Sequence, residues 1–363
     1  MWALSHLVRH TKETPLRAEG DAPPSVAVIV AVHNEEAALP AKIENCLGLW
    51  YPRDRLRVIV ASDGSTDGTV RVAEEFARKY WNVHVFVQKE RLGKTAAQNA
   101  AVKLCGDDII LFADADTKLD GRFLERLIVP FSDRSVGCVT GALVWTNPGE
   151  SAVAAGGDLY WRYEHFMWRL ESHLGLLAWG SGACLAVRRE LFAPMEAQYG
   201  EDCVVPLDIV SRGYRVAFQP EAIAYETRIA NPRAEMRARA RMTLRSFAGT
   251  LSRKRLLNPF RFPGIAWSIA SHKMLRWLTP YFLLLVLASN VILVGRSSLY
   301  RLTLVLQIIF YVSGAIGYIL DQYRLRVPLI STIYAFCLMN LGVSIGVTHA
   351  LLGRRILAYR SEG

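Results

Sequence analysis

Two carboxylates one residue apart, Asp114 and Asp116, close the text Ala113-Asp114-Ala115-Asp116-Thr117 after the apolar stretch Asp108–Ala113. On an extended strand residues i and i+2 point the same way, so both acids can meet one cation. Oxygen donors with room for water suit Mg²⁺ or Mn²⁺, which bridge the phosphates of a nucleoside diphosphate and offset charge on a departing diphosphate. Taken alone, the pair is equally what a solvated strand end looks like. Asp63 opens a second polar cluster, Asp63-Gly64-Ser65-Thr66-Asp67-Gly68. Its carboxylate can accept from a nucleobase or a ribose, or shape a tight turn, while Asp67 is better suited to cap the following helix. Glu201–Asp202 is a third acidic point. Alone it reads as an exposed pair.

These groups need a scaffold, and the apolar pattern supplies one. Val26–Val32 is a continuous apolar run, the mark of a strand buried on both faces. Helical spacing follows over 35–47, a strand at 57–61, a helix at 66–80, a strand at 83–87, an Ala-rich helix at 94–104 and a strand at 108–113. Such alternation predicts an α/β layer fold with a mostly parallel sheet. Ligands of open α/β sheets bind beyond the carboxyl ends of the strands, and the polar clusters fall at those ends. After Gly141 the period is less regular: an aromatic helix at 158–174 (Tyr160, Trp161, Tyr163, Phe166, Trp168), a small-residue turn at 180–183, then Glu201–Asp202. The aromatic stripe fits core or membrane-interface packing better than an acceptor path. His33 and His165 lack partners at metal-ligand spacing and read as structural.

Composition divides the chain. Apolar residues make up 52%, concentrated in the C-terminal third as spans at 278–294, 302–320 and 327–352. A helix needs about 20 residues to cross a bilayer, so three membrane helices are expected. The net charge of +10 is local as well: residues 233–276 hold eleven Lys and Arg and one acid. A basic stretch before an apolar span suits an anionic lipid surface, favours a cytoplasmic catalytic domain and gives no nucleic-acid reading module. Three crossings would put the tail at 354–363 on the far side. The six cysteines form no CxxC pair and read as reduced core thiols. The expected order is a tail at 1–24, a catalytic domain at 25–230, basic amphipathic helices at 231–277, membrane helices at 278–353 and a tail at 354–363.

The polar clusters, taken in order, resemble family 2 glycosyltransferases of the GT-A type. The matching text is Val26–Glu36, Ser62–Thr69, Gly93–Ala100, Ala113–Thr117, Gly180–Glu190 and Gly200–Asp202. Ser271–Trp277, SerHisLysMetLeuArgTrp, further resembles bacterial exopolysaccharide-type members with C-terminal membrane helices. The resemblance implies a Rossmann-like GT-A domain, a UDP-sugar donor, Mg²⁺ or Mn²⁺, and a lipid-linked or glycan acceptor at the inner (plasma) membrane. Glu35 and Asp63 would hold the uridine, with Lys94 near the nucleotide. Asp114 would touch ribose or metal-bound water, Asp116 would ligate the metal, and Asp202 would be the general base of an inverting transfer. Processive members carry Gln-x-x-Arg-Trp; here Ala238-Arg239-Ala240-Arg241-Met242 keeps Arg241 for a phosphate and lacks the Gln and Trp. Single-sugar addition gains from that departure. Two alternatives stay open: a polyprenyl-phosphate glycosyltransferase, and a non-catalytic nucleotide-binding assembly subunit.

Overall fold

Eight strands make one sheet: β1 (Val26–Val32), β2 (Leu56–Asp63), β3 (Val83–Gln88), β4 (Ile109–Ala113), β5 (Lys118–Leu119), β6 (Val136–Trp145), β7 (Cys184–Arg188) and β8 (Arg215–Glu226). The computed structural model describes residues 22–146, 152–227, 231–323, 325 and 327–356, with backbone only for 152–160. Most of the tails expected at 1–24 and 354–363, and the side chain of Tyr160, lie outside the described residues.

The strand order is β3-β2-β1-β4-β7-β6-β8-β5. Its first half is parallel, with Val26 opposite Leu56 and Ile109, and Val30 opposite Ala113. That half is the expected one, because β1 and β4 are buried on both faces and continuous Val and Ile runs suit such strands. Antiparallel β7 then joins β4 to β6, and β5 pairs antiparallel with β8, so the sheet is mixed. Each wholly buried Ile, Leu, Val or Phe contributes about 1.5–3 kcal/mol. The largest such side chains, Phe112, Phe123, Ile29 and Ile59 among them, lie in or against this sheet.

The helices are α1 (Leu39–Leu47), α2 (Thr69–Lys79), α3 (Lys94–Val102), α4 (Phe123–Leu127), α5 (Ala152–His173), α6 (Glu201–Ser211), α7 (Pro232–Ser252) and α8 (Pro263–Ser268). A π-helical stretch, Ile269–Met274, leads from α8 into α9 (Leu275–Leu293), followed by α10 (Ser298–Gln322) and α11 (Pro328–Leu351). α1 starts later than the spacing predicts because Pro40 stands at its opening turn, where a missing N–H costs nothing.

Among the described residues, three stretches are long and apolar enough to cross a membrane: Pro263–Leu293, Ser298–Gln322 and Pro328–Leu351, with mean hydropathy 1.5, 1.9 and 1.7. Leu284, Leu285 and Ile292 point outward from α9, which suits hydrocarbon. The third helix is different in kind. It packs along α7 and against α5, and Val347, near its end, joins the buried cluster that holds Phe247 and Trp277. Trp277 sits at the root of α9, so the first and third apolar helices both meet the catalytic domain there.

Candidate active site

The first two parallel strands end in loops laced together by side chains. Asn34 has φ 58°, a left-handed conformation that Asn tolerates. Its Oδ1 accepts from Thr66 N at 2.8 Å. Glu35 N donates to Thr69 Oγ1 at 2.8 Å, and Glu36 accepts from Gly68 N at 3.0 Å. Glu35 is thus held at the rim, half-buried. Asp67 accepts from Thr69 N at 3.0 Å just ahead of the helix, whose N-cap position is Gly68. His33 Nδ1 bonds the Asp63 carbonyl at 2.8 Å and is structural here, as its isolation in the sequence implied.

Asp63 is buried at the end of β2. Its Oδ1 accepts from Gln88 Nε2 at 2.8 Å, Leu92 N at 2.8 Å and Gly93 N at 3.0 Å, and its Oδ2 from Gly93 N at 2.9 Å. Gly64 (φ +62°) lets the turn pass this loop; a Cβ there would stand 2.8 Å from Arg91 N. Asp63 therefore shapes the turn, and Oδ2, with one protein donor, keeps a lone pair for a ligand. The two readings left open by the sequence are compatible.

Lys94 opens α3 and joins two acidic points. Its Nζ pairs with Asp114 Oδ1 and, at 2.5 Å, with Glu201 Oε1. Burial alone would favour neutral Glu201, but the Lys94 and Arg245 charges outweigh it and lower its pKa. Asp202, the next residue, moves the other way. Burial and then the Glu201 charge push it up to about 6, against the lowering pull of Arg245, Lys94 and Lys273. Arg245 of α7 is buried, donating to Thr95 Oγ1 at 2.8 Å and the Tyr199 carbonyl at 2.5 Å. Nothing in the sequence set it apart from the other arginines of that helix. Arg241, the expected phosphate ligand, lies half-buried one turn earlier.

Asp116 opens into a cleft of about 610 Å³ whose walls include Asn45, Lys118, Tyr225, Glu226 and Thr227. Desolvation, then the Asp114 charge, raises the Asp116 carboxyl. Glu226, at the end of β8, is pushed up to about 9 by desolvation, Asp116 and Asp114. It is a third acid that the sequence did not single out. Among the described residues no three metal-ligating side chains converge on one point. The acids fit a divalent cation held by two carboxylates, with positions left for phosphate and water. Two links run along this edge of the sheet: Asp63 accepts from the Leu92–Gly93 backbone, and Lys94 joins Asp114 to Glu201, the residue before Asp202.

Residues 27–193 match the model of glycosyl transferase family 2. A probable glycosyltransferase, YdaM, of Bacillus subtilis is 26% identical over 216 residues, which cover 56% of this chain and 50% of that protein. An N-acetylglucosaminyltransferase of Mesorhizobium japonicum is 30% identical over 223 residues, covering 56% and 52%. The chain spans about half the length of the curated relatives it matches. Among solved structures, mannosyltransferase PcManGT of Pyrobaculum calidifontis, in complex with GDP-Man and Mn²⁺, superposes with TM-score 0.64 at 20% identity over 98% of this chain and 94% of that one. The matched segment, just under half of the chain, contains β1 to β7 and the Asp63 and Asp114–Asp116 loops; over it the chain is similar to family 2 glycosyltransferases, and its fold is of GT-A type.

Proposed function

We propose that the protein is a membrane-associated inverting glycosyltransferase that moves a sugar from a UDP-sugar to a lipid-linked saccharide or growing glycan in cell-surface polysaccharide synthesis. The observation that carries this reading is Asp202, a carboxylate tuned to about 6 beside the Lys94 bridge to Asp114. A base with a pKa near working pH takes a proton efficiently and is mostly ionised beforehand.

In this reading Asp63 Oδ2 and Glu35 receive the uridine, and Asp114 and Asp116, with Glu226 alongside, hold Mg²⁺ or Mn²⁺. When bound, that cation offsets the charge developing on the departing diphosphate. Lys94 and Arg241 add positive charge along the phosphate path. Asp202 accepts the acceptor hydroxyl's proton as its oxygen attacks the anomeric carbon, and one displacement inverts that carbon. The apolar helices hold the domain at the cytoplasmic face of the inner membrane, within reach of lipid-borne acceptors. The Mesorhizobium relative's name makes UDP-N-acetylglucosamine the first donor to try.

The test is UDP release by the full chain in detergent, across a panel of UDP-sugars and one GDP-sugar, with and without Mn²⁺. Turnover that ignores chelator, or full activity in Asp116→Ala, would overturn the metal-assisted mechanism. Normal turnover in Asp202→Asn would favour a phosphate acceptor, which is already an anion and needs no base.

A further inference from the structure

A buried ionic network lies outside the acidic rim. Glu164 of α5, almost wholly buried, pairs with Lys273 Nζ at 3.1 Å, with Arg276 and with His272 Nε2 at 3.4 Å. One helical stretch further along α5, Glu171 meets His272 Nδ1 at 2.8 Å and Ser268 Oγ at 2.9 Å. Every partner comes from Ser268–Arg276, which includes the π-helical turn near the start of the first apolar stretch. Burying this many charges is unfavourable unless all are paired, and removing one partner exposes the whole penalty. A π-helical turn is itself a rare feature that tends to occur where a helix performs a function.

The network has an outlet toward the site. Lys273 Nζ stands 5.2 Å above the centre of the Trp179 ring. Trp179 meets Trp277 edge-on at 5.7 Å, and Trp277 meets Phe247 of α7 at 5.5 Å. The residue after Trp179, Gly180, donates its N–H to the Asp202 carbonyl at 3.1 Å. The root of the membrane span is therefore joined through one tryptophan to the residue read as the base.

We propose that Lys273 is a positioning residue for Asp202, fixing the Trp179–Gly180 segment and supplying positive charge to the base, so that the juxtamembrane turn is a working part of the active site. This rests on the reading of Asp202 as general base. The charged groups acting on Asp202 are Glu201 on its own helix, Lys94 of α3, Arg245 of α7 and Lys273. Of the three cations, Lys94 and Arg245 belong to the rim; Lys273 alone comes from the membrane-proximal segment. Its charge favours the ionised carboxylate, so its loss raises the pH at which Asp202 becomes a base.

The experiment compares Lys273→Met, Lys273→Arg and Asp202→Asn in the full chain, measuring UDP release against pH and UDP affinity with Mn²⁺. In Lys273→Met the acid limb of kcat should move to higher pH, with turnover near pH 6 down about twofold and UDP affinity within twofold. Lys273→Arg should return the limb to its place. Lys273→Gln, which keeps a donor to Glu164 and loses the charge, replaces the methionine variant if that one does not fold, and should shift the limb likewise. A folded Lys273→Met or Lys273→Gln protein with an unmoved limb overturns the proposal. Turnover retained by Asp202→Asn sinks the base assignment instead, so the two failures are told apart.

Discussion

Lys94 donates to Glu201 Oε1 across 2.5 Å while its other partner is Asp114, so one ammonium ties the strand that ends in AspAlaAsp to the helix that carries Asp202. Glu201 is buried, and this lysine is the leading cause holding it ionised. Lys94→Met should therefore damage the fold as well as the chemistry. Stranding a buried carboxylate costs about 3–5 kcal/mol, seen as a lower unfolding midpoint, and UDP release should fall below detection. A variant as stable and active as wild type would mean that the bridge is incidental.

The pH dependence follows from the next residue. Asp202 acts as a base when ionised, and its pKa is pushed up to about 6. Activity should thus be full above that value and lost as pH falls through it, by about tenfold per unit. Glu201 is the chief charge raising Asp202, so Glu201→Gln should move the midpoint of the acid limb to lower pH in whatever turnover survives. A limb at the ordinary carboxylate value in wild type would assign it to another group.

The parallel half of the sheet was legible because β1 and β4 are buried on both faces, which leaves apolar runs that no surface element tolerates. β6 and β8 were harder. They pair along a ten- and a twelve-residue strand with register shifts at Val136/Cys138 and Gly141/Ala142, and a shift moves side chains to the opposite face, so alternation breaks. Asp63 and Asp114 were visible as strand-end acids. Glu226 was not, because its place beside Asp116 depends on the β6–β8 pairing. Arg245 looked like one more base in a basic stretch; only packing of α7 against α6 and α3 makes it the buried one.

Glu226 gives a metal-linked prediction. Its folded-state pKa, about 9, lies above the ordinary glutamate value. The folded state therefore holds a proton that the unfolded chain releases, and stability falls as pH rises between those two values. Glu226→Gln cannot ionise, so in chelator at pH 8 it should unfold at a higher temperature than wild type. With Mn²⁺ the order should narrow or reverse, because the cation then favours the carboxylate. Thermal unfolding in chelator and in Mn²⁺ reads both signs; identical curves for the two proteins would separate Glu226 from the acidic pair.

The contact between α11 and α7 carries the last prediction. A Cβ on Gly346 would lie 2.5 Å from the Ala240 carbonyl, and one on Gly342 would lie 2.9 Å from the Met236 carbonyl. Both obstacles are backbone, which cannot turn aside as a flexible side chain can. A larger residue must push the two helices apart, and overpacking of this kind costs about 1–3 kcal/mol. Since α7 also carries Arg245, which holds Thr95 and the Tyr199 carbonyl, the displacement should reach the site. Gly346→Leu raises the hydropathy of α11, so insertion into the membrane should be kept while thermal stability and turnover both drop. Gly353→Ala is a poor control because that glycine has positive φ; Gly295→Ala is a good one, since a Cβ there meets nothing within 4 Å. If Gly346→Leu keeps wild-type turnover in the membrane fraction, α11 is an anchor alone and has no part in holding the catalytic helix.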